Sequence, residues 1–327
     1  MTIPIACRHL GGRLKRLNYR LQRLHNLVEA PGSQDRSLLL KEIAATRTEI
    51  AAVQQLLDAC IANPPKPVEI VGRLPSGTVL PSVFALDTAI NPLPAAVASV
   101  ILLPGNNGFM QLEDQGGKAR LNSNSQLKGN FVVRSAWAFL EAGLNVMMVD
   151  APSETAWDTR SKRRTVAHAT EIGSAIADAR QRWKLPVWIV GTSNGTVSAV
   201  NAAVRLSGTE RPDGIALTSA ITRNPGNANP LANTVLASNP GVAEVQIPTI
   251  VAWHALDSCP SSPATSANEV MAALPPLLRV QVGPFTGGGW SLLAEADLCG
   301  GVAFHGFNGI EHTVASQVAA SILALAV

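Results

Sequence analysis

The sequence places a serine at the centre of the pentapeptide Gly191-Thr192-Ser193-Asn194-Gly195. The apolar run 186–190 precedes the pentapeptide and a helical pattern follows it, so the serine is predicted to lie on a sharp turn between a strand and a helix. A glycine two residues to either side allows the strand and the helix to approach closely. This is the setting of a nucleophilic serine, although an unreactive serine in a tight turn has the same pattern.

A serine nucleophile requires a base that takes its proton and an acid that orients the base. In open α/β sheets such side chains collect after the carboxyl ends of the strands. Asp257 follows the apolar run 249–253 by a few residues and lies C-terminal to the serine, so we predict that it is the orienting acid. We expect His254, in the same loop, to pack at the strand end, and Asp150 to organise a loop and line the pocket. The pocket walls are expected to come from residues 109–130, 153–164 and 222–245, which have the composition of irregular loops.

The predicted base is a histidine that follows the last strand, which we place at residues 278–282. His305 precedes Gly306 in a loop before the terminal helix. His312 lies inside that helix and is predicted to point away from its apolar face. Because a loop histidine can reach the serine and an exposed helical one usually cannot, we predict that His305 is the base.

A loop with small residues follows the apolar run 97–103 and offers backbone donors to a substrate oxygen. Gly105 or Asn106 would supply one N–H group, and Asn194, the residue after the serine, would supply the other. Together they would form an oxyanion hole, in which one donor typically contributes about 3 kcal/mol to transition-state stabilisation. The alternative is a plain loop before a helix.

Uninterrupted apolar runs alternate with helical patterns through most of the chain. The runs are residues 97–103, 145–149, 187–190, 214–217 and 249–253, and the helical patterns are residues 131–142, 165–183, 196–206 and 264–274. Residues 68–71 and 78–86 are predicted to form opening strands on either side of a turn. Strands that are apolar on both faces are typical of a buried parallel sheet. The predicted fold class is therefore α/β, with a doubly wound and mostly parallel sheet.

Two heptad patterns precede this region. Apolar residues recur at spacings of three and four from Cys7 to Val28 and again from Leu39 to Cys60, with turn-forming residues between them. They predict an antiparallel helical hairpin over residues 1–62, followed by a Pro-rich linker, residues 63–67, and a catalytic domain, residues 68–327. The hairpin could recruit a partner chain or form a homo-oligomer, or serve as a lid or folding brace.

Four cysteines form two sequence pairs. The hairpin brings Cys7 opposite Cys60, and a bridge between Cys259 and Cys299 would tie the loop of the acid to the loop of the base. Paired cysteines would indicate a secreted or periplasmic protein, whereas four reduced cysteines would suit a cytoplasmic enzyme. The first residues lack the apolar segment of a secretion signal, and no apolar stretch is long enough to span a membrane.

The charge distribution is uneven. The 327 residues have a net charge of +3, but six basic residues precede the first acidic one, Glu29, so the rest of the chain has a net charge of −3. We therefore expect no nucleic-acid binding by the body of the protein, although the basic segment could contact an anionic surface. The sequence contains no Cys-x-x-Cys, phosphate-loop or His-Glu-x-x-His motif, so neither a cofactor nor a metal is predicted.

Taken together, the motifs of residues 68–327 resemble the α/β-hydrolase superfamily. The order Ser193, Asp257, His305 is the order of that superfamily. Matching segments are residues 103–108, 130–135, 149–153 and 191–196, with Cys299 followed by residues 305–311. The chain departs from many esterases of the superfamily, since Pro-Gly-Asn-Asn-Gly stands where they have His-Gly-Gly-Gly, and the choice between the two loop donors stays open. The hairpin lies outside the resemblance.

The resemblance implies a serine hydrolase that works through an acyl-enzyme, with the histidine of the His-Gly-Phe turn as the catalytic one. A small-molecule carboxylic ester is the expected substrate, because esters are the commonest substrates of the superfamily. An amidase, peptidase or acyltransferase would use the same triad. A third alternative is a binding or assembly protein in which the hairpin is the working part and the hydrolase body a scaffold.

Overall fold

The computed structural model describes residues 8–29, 36–62, 68–82, 96–288 and 297–326. These residues divide into two compact units, one before residue 68 and one from Val68 onwards. The predicted linker, residues 63–67, lies outside the described residues. None of the helices in the described ranges is long and apolar enough to cross a membrane.

The first unit is a pair of helices, α1 (Arg8–Glu29) and α2 (Arg36–Ala62), that pack against each other. Their buried side chains follow the predicted heptad seam and are Leu17, Leu24, Ile43, Thr46, Val53 and Leu57. An exposed ion pair between Arg20 and Glu42 also joins the helices, at 2.6 Å. The predicted bridge between Cys7 and Cys60 lies outside the described residues, because Cys7 and the side chain of Cys60 are not among them.

The second unit contains an eight-stranded sheet and a separate two-stranded one. In chain order the strands are β1 (Ile70–Arg73), β2 (Val79–Pro81), β3 (Ala98–Leu103), β4 (Leu112–Asp114), β5 (Ala119–Leu121), β6 (Leu144–Val149), β7 (Val187–Thr192), β8 (Gly214–Thr218), β9 (Thr249–Ala252) and β10 (Arg279–Gln281). The strand order of the large sheet is β10-β9-β8-β7-β3-β6-β1-β2. β1 and β2 pair in antiparallel, and the other neighbours pair in parallel.

The central strands are buried along their whole length. Every residue of β3, β6, β7, β8 and β9 is buried, as the apolar runs predict for strands covered on both faces. Helices lie on both sides of the sheet: α3 (Phe131–Arg134), α4 (Ala136–Glu141), α5 (Val166–Trp183), α6 (Asn194–Arg205), α7 (Ala267–Ala273) and α8 (Glu311–Leu325). The predicted α/β class with a mostly parallel, doubly wound sheet is therefore confirmed.

Two local expectations were wrong. The segment 131–142 forms two helices, because the Ser135 hydroxyl donates to the carbonyl of Phe131 at 2.6 Å and the helix is interrupted at this residue. The segment 109–130, which has the composition of an irregular loop, contains the antiparallel pair β4–β5. Both strands have three residues, too few to show a periodic apolar pattern.

Asp150, directly after β6, holds the chain that follows β3. Its two carboxylate oxygens accept hydrogen bonds from the backbone N–H groups of Met110, at 2.5 Å, and Leu112, at 2.6 Å. Asp150 is buried, and this burial raises its pKa to about 6 in spite of the backbone donors. The predicted role of Asp150 as a loop organiser agrees with these contacts, but Asp150 is not among the residues that line the cavity described below.

The raised pKa of Asp150 predicts a specific pH dependence of stability. Because the folded state favours the protonated carboxyl group, its contribution is greatest at low pH and is lost as the pH rises through about 6. The wild type should therefore lose about 3 kcal/mol of unfolding free energy relative to Asp150→Asn between pH 4 and 7. Denaturant titration at each pH measures this difference. A difference between the wild type and Asp150→Asn that does not change with pH would contradict the prediction.

Candidate active site

Ser193 lies between the end of β7 and the start of α6, on a strained turn. Its backbone angles are φ 51° and ψ −125°, a conformation that non-glycine residues rarely adopt. The turn is held because the Ser193 N–H group donates to the carbonyl of Thr218 at 3.1 Å. A Cβ atom on Gly195 would lie 2.1 Å from the carbonyl oxygen of Leu103, so only glycine allows α6 to approach β3 this closely.

Asp257 and His305 form a buried pair. The Nδ1 atom of His305 lies 3.0 Å from Oδ2 of Asp257, and the two side chains are almost inaccessible to solvent. The other carboxylate oxygen accepts the backbone N–H of Cys259 at 3.0 Å. A carboxylate only accepts hydrogen bonds, so Nδ1 of His305 carries the proton in this contact.

Ser262 is a third member of this group that sequence reasoning missed. Its hydroxyl oxygen lies 2.8 Å from Nδ1 of His305 and 3.2 Å from Oδ2 of Asp257. The hydroxyl can therefore donate to the carboxylate while it accepts from the imidazole. Nothing in the sequence distinguishes Ser262 from the neighbouring Ser258 and Ser261, because only the course of the loop brings one of these hydroxyls to the histidine.

The second ring nitrogen of His305 is in a different environment. Nε2 is buried and has no hydrogen-bond partner among the described residues. With the proton on Nδ1, Nε2 has a lone pair available to accept a proton. His305 and Ser193 both line one cavity of about 440 Å³. The structure thus brings the predicted serine, acid and base together at the carboxyl ends of β7, β9 and the loop before α8.

The cavity walls differ in part from the expected segments. The described lining residues are Asn106, Gln126, Leu127, Gly129, Asn130, Phe131, Arg160, Thr192, Ser193, Asn194, Ile221, Cys259, Ser261, Asp297, Cys299, Gly300, Gly301, Val302, His305 and Gly306. The expected segments 109–130 and 153–164 contribute to it, but residues 222–245 contribute no described lining residue. Residues 297–302, which sequence reasoning missed as a wall, line it because they precede the histidine in its own loop.

The predicted donor loop packs directly on the serine. A Cβ atom on Gly105 would lie 2.8 Å from Cβ of Ser193 and 3.3 Å from its Oγ atom. The next residue, Asn106, has a φ of 50° and lines the cavity, as does Asn194. The Asn194 side chain donates to the carbonyl oxygen of Asn106 at 3.1 Å and so joins the two predicted donor residues.

A fully buried arginine, Arg163, binds the backbone of the predicted donor loop. Its guanidinium donates to the carbonyl oxygens of Asn106 and Trp157 and to the hydroxyl of Ser198, each at 2.9 Å. The guanidinium also lies 5.8 Å from the centroid of the Trp157 ring. Burial lowers the pKa of Arg163 to about 9, so it stays protonated at neutral pH. No sequence motif indicated this residue.

The His305 loop is fixed by contacts from the residue after β8 and from α3. The Ser219 hydroxyl donates to the carbonyl oxygen of His305 at 2.7 Å. Arg134 donates to the carbonyl oxygens of Gly301 and Gly306, both at 2.6 Å, and pairs with Glu311 at 3.3 Å. These bonds immobilise the backbone on both sides of the imidazole.

A disulfide joins Cys259 and Cys299, as the sequence predicts. Cys259 is two residues after the predicted acid Asp257, and Cys299 is six residues before the predicted base His305. The bridge therefore connects the loops that supply these two side chains. Both cysteines line the cavity.

The other histidines considered from the sequence have different surroundings. Nε2 of His254 donates to the carbonyl of Gly287 at 2.8 Å, and its Nδ1 accepts the N–H of Leu256 at 3.0 Å, so neither nitrogen is available as a base. His254 also stacks on Phe304. His312 is exposed and lies 2.9 Å from a carboxylate oxygen of Glu141. Within the described ranges, no group of three His, Cys, Asp or Glu side chains is arranged to hold a metal ion.

Comparisons with known proteins add little. No family model matches the sequence, and no curated protein matches it. Among solved structures, the product of gene lin2722 from Listeria innocua is similar, with 12% sequence identity, a TM-score of 0.39 and coverage of 70% of this chain and 94% of that chain. A similarity at this level carries no argument about function.

The disulfide between Cys259 and Cys299 predicts a measurable loss of stability on its removal. The bridge spans 40 residues, and closing such a loop contributes about 4 kcal/mol in the chain-entropy model. We expect the Cys259→Ala/Cys299→Ala variant to unfold at a midpoint roughly 5–10 °C below that of the wild type.

Thermal unfolding of both proteins with and without reductant tests this prediction. Reductant should lower the midpoint of the wild type to that of the double variant. The effect of reductant on the midpoint of the double variant controls for the other cysteines. Equal midpoints for the wild type and the double variant without reductant would show that the bridge does not stabilise the fold.

Proposed function

We propose that this protein is a serine hydrolase of the α/β-hydrolase type and that it acts on carboxylic esters through an acyl-enzyme. One observation carries the proposal. Ser193, on a strained strand-to-helix turn, lines the same cavity as His305. Nδ1 of this imidazole is bonded to the buried carboxylate of Asp257, and its Nε2 has no hydrogen-bond partner among the described residues. This arrangement leaves a nitrogen lone pair for the serine proton and a fixed negative charge behind the imidazole.

In the proposed reaction, Oγ of Ser193 attacks the ester carbonyl carbon while its proton moves to Nε2 of His305. Asp257 stabilises the imidazolium ion, and the backbone N–H groups of Asn106 and Asn194 donate to the oxyanion. The C–O bond to the alcohol then breaks, and the alcohol leaves with the proton from Nε2. Water releases the acyl group by the same steps, with the imidazole again taking and returning a proton.

Two further points support a small ester as the substrate. The cavity volume of about 440 Å³ lies in the range of sites for small molecules. Esters are also the commonest substrates of the superfamily that the sequence resembles. Product analysis with matched ester and amide substrates separates an esterase from an amidase, peptidase or acyltransferase.

Because a disulfide joins two cavity loops, we also propose that the protein works in an oxidising compartment, as a secreted or periplasmic enzyme.

A fluorophosphonate probe tests the proposed nucleophile. The probe should label the wild type covalently at Ser193, and Ser193→Ala should abolish both labelling and ester hydrolysis, because no other residue would hold the attacking oxygen. The matched control is Ser153→Ala, which removes an exposed hydroxyl outside the cavity and should leave both signals unchanged. Absence of wild-type labelling, or full labelling of Ser193→Ala, would rule out the proposal.

Ser262 is predicted to position the imidazole. Ser262→Ala removes hydrogen bonds to His305 and Asp257, each worth about 1 kcal/mol, so kcat should fall roughly 5- to 30-fold with little change in KM. The rate of fluorophosphonate labelling should fall by a similar factor, because the same base activates the serine. Ser258→Ala, an exposed neighbour, provides the control and should retain the wild-type rates. Unchanged kcat in Ser262→Ala would mean that the hydroxyl does not assist the base.

A further inference from the structure

The cavity contains a cation that the proposed mechanism does not use. Arg160 lines the cavity beside the serine and is half-buried. Its guanidinium donates to the side-chain oxygen of Asn194 at 2.9 Å, to the carbonyl of Arg223 at 2.8 Å and to the hydroxyl of Ser261 at 2.8 Å. All three acceptors are neutral, so they fix the position of the guanidinium without balancing its charge.

No acidic side chain in the described part of the chain forms an ion pair with Arg160. Asp297 lines the same cavity, but its Oδ1 atom accepts the backbone N–H of Cys299 at 3.1 Å and makes no contact with Arg160 within ion-pair distance. Burial lowers the pKa of Arg160, and no neighbouring carboxylate offsets this effect. A desolvated charge of this kind is costly unless an opposite charge is supplied.

The geometry leaves donors for such an anion. A guanidinium has five N–H groups, and three are directed at Asn194, Arg223 and Ser261. The remaining two suit a carboxylate, whose two oxygens match the planar fork of arginine. The side chains of Gln126 and Asn130 line the same cavity and add amide groups that can bond a polar substrate.

We propose that the preferred substrate is an ester with a carboxylate group, on either its acyl or its alcohol part, and that Arg160 binds this carboxylate. The inference rests on the proposed hydrolase function. It concerns which ester is preferred and not how the ester is cleaved. Because Arg160 also bonds to the Asn194 side chain, next to the predicted oxyanion donor, the experiment has to separate charge recognition from positioning.

Two pairs of isosteric substrates make this separation. Mono-4-nitrophenyl adipate and 4-nitrophenyl 6-methylheptanoate differ in charge on the acyl side, and 4-carboxyphenyl butanoate and 4-carbamoylphenyl butanoate differ on the alcohol side. We expect the wild type to prefer the anion of at least one pair by roughly 10- to 100-fold in kcat/KM. Spontaneous hydrolysis is subtracted with Ser193→Ala.

Variants of Arg160 identify the cause of the preference. Arg160→Gln should lower the ratio of anionic to neutral kcat/KM towards 1, and Arg160→Lys, which keeps the charge but loses the fork, should give an intermediate ratio. Lys162→Gln removes an exposed neighbouring charge and should preserve the ratio. A disturbed oxyanion hole would instead lower both rates of a pair equally and leave their ratio unchanged.

The outcomes separate the two proposals. Covalent labelling of Ser193 with no preference for either anion overturns the inference about Arg160 and leaves the hydrolase intact. A wild-type preference for an anion that Arg160→Gln does not change also overturns the inference about Arg160 and leaves the hydrolase proposal intact. Absence of both labelling and turnover with all four esters overturns the hydrolase proposal itself. The preference itself is measured on the wild type, so its absence overturns the inference about Arg160 whether or not the variants fold.

Discussion

The close backbone contact between the Ser193 turn and the end of β3 is the constraint on which the candidate site depends. Gly195 sits against the carbonyl of Leu103, at a distance that excludes any Cβ atom. The contact fixes the start of α6 relative to β3, and it brings Gly105 onto the serine side chain. The serine hydroxyl and the predicted backbone donors therefore lie next to each other, because the neighbouring parallel strands β3 and β7 end at the same edge of the sheet. Changes that separate α6 from β3 would displace both at once.

Two charged groups that have no ion partner among the described residues hold the segments around this contact. Arg163 is completely buried and bonds only to neutral acceptors and a Trp157 ring, and Asp150 bonds to backbone N–H groups. Such groups cost desolvation energy, which the raised pKa of Asp150 reflects. In return, the Asp150 carboxylate fixes two backbone N–H groups of the segment after β3, and the Arg163 guanidinium fixes the backbone carbonyls of Asn106 and Trp157. The positive charges of Arg163 and Arg160 also favour negative charge close to the serine, which is where an oxyanion would develop.

The sequence predicted the parts of the fold that depend on local pattern. Strands apolar on both faces predicted the parallel sheet, and the glycine-flanked serine predicted the turn that the structure has. The bridge between Cys259 and Cys299 followed from their spacing to the acid and the base. Ser262 and Arg163 could not be predicted, because their roles arise from contacts with residues 35 to 57 positions away along the chain. The break at Ser135 was missed for a different reason, since a hydroxyl bonded to its own helix leaves the apolar pattern unchanged.

The position of His305 explains why so many contacts converge on its loop. Ser193 is fixed by the strand and helix on either side of it, but His305 lies in a loop whose backbone belongs to no strand of the sheet. Without ladder hydrogen bonds, its orientation has to come from side chains and cross-links. Ser219 and Arg134 bind its backbone, Asp257 and Ser262 bind its ring, and the disulfide limits how far the two loops can separate. Because the ring is held through Nδ1, Nε2 has no hydrogen-bond partner among the described residues. A side chain in a loop can thus be as well oriented as one on a strand, provided that other contacts restrain its backbone and its ring.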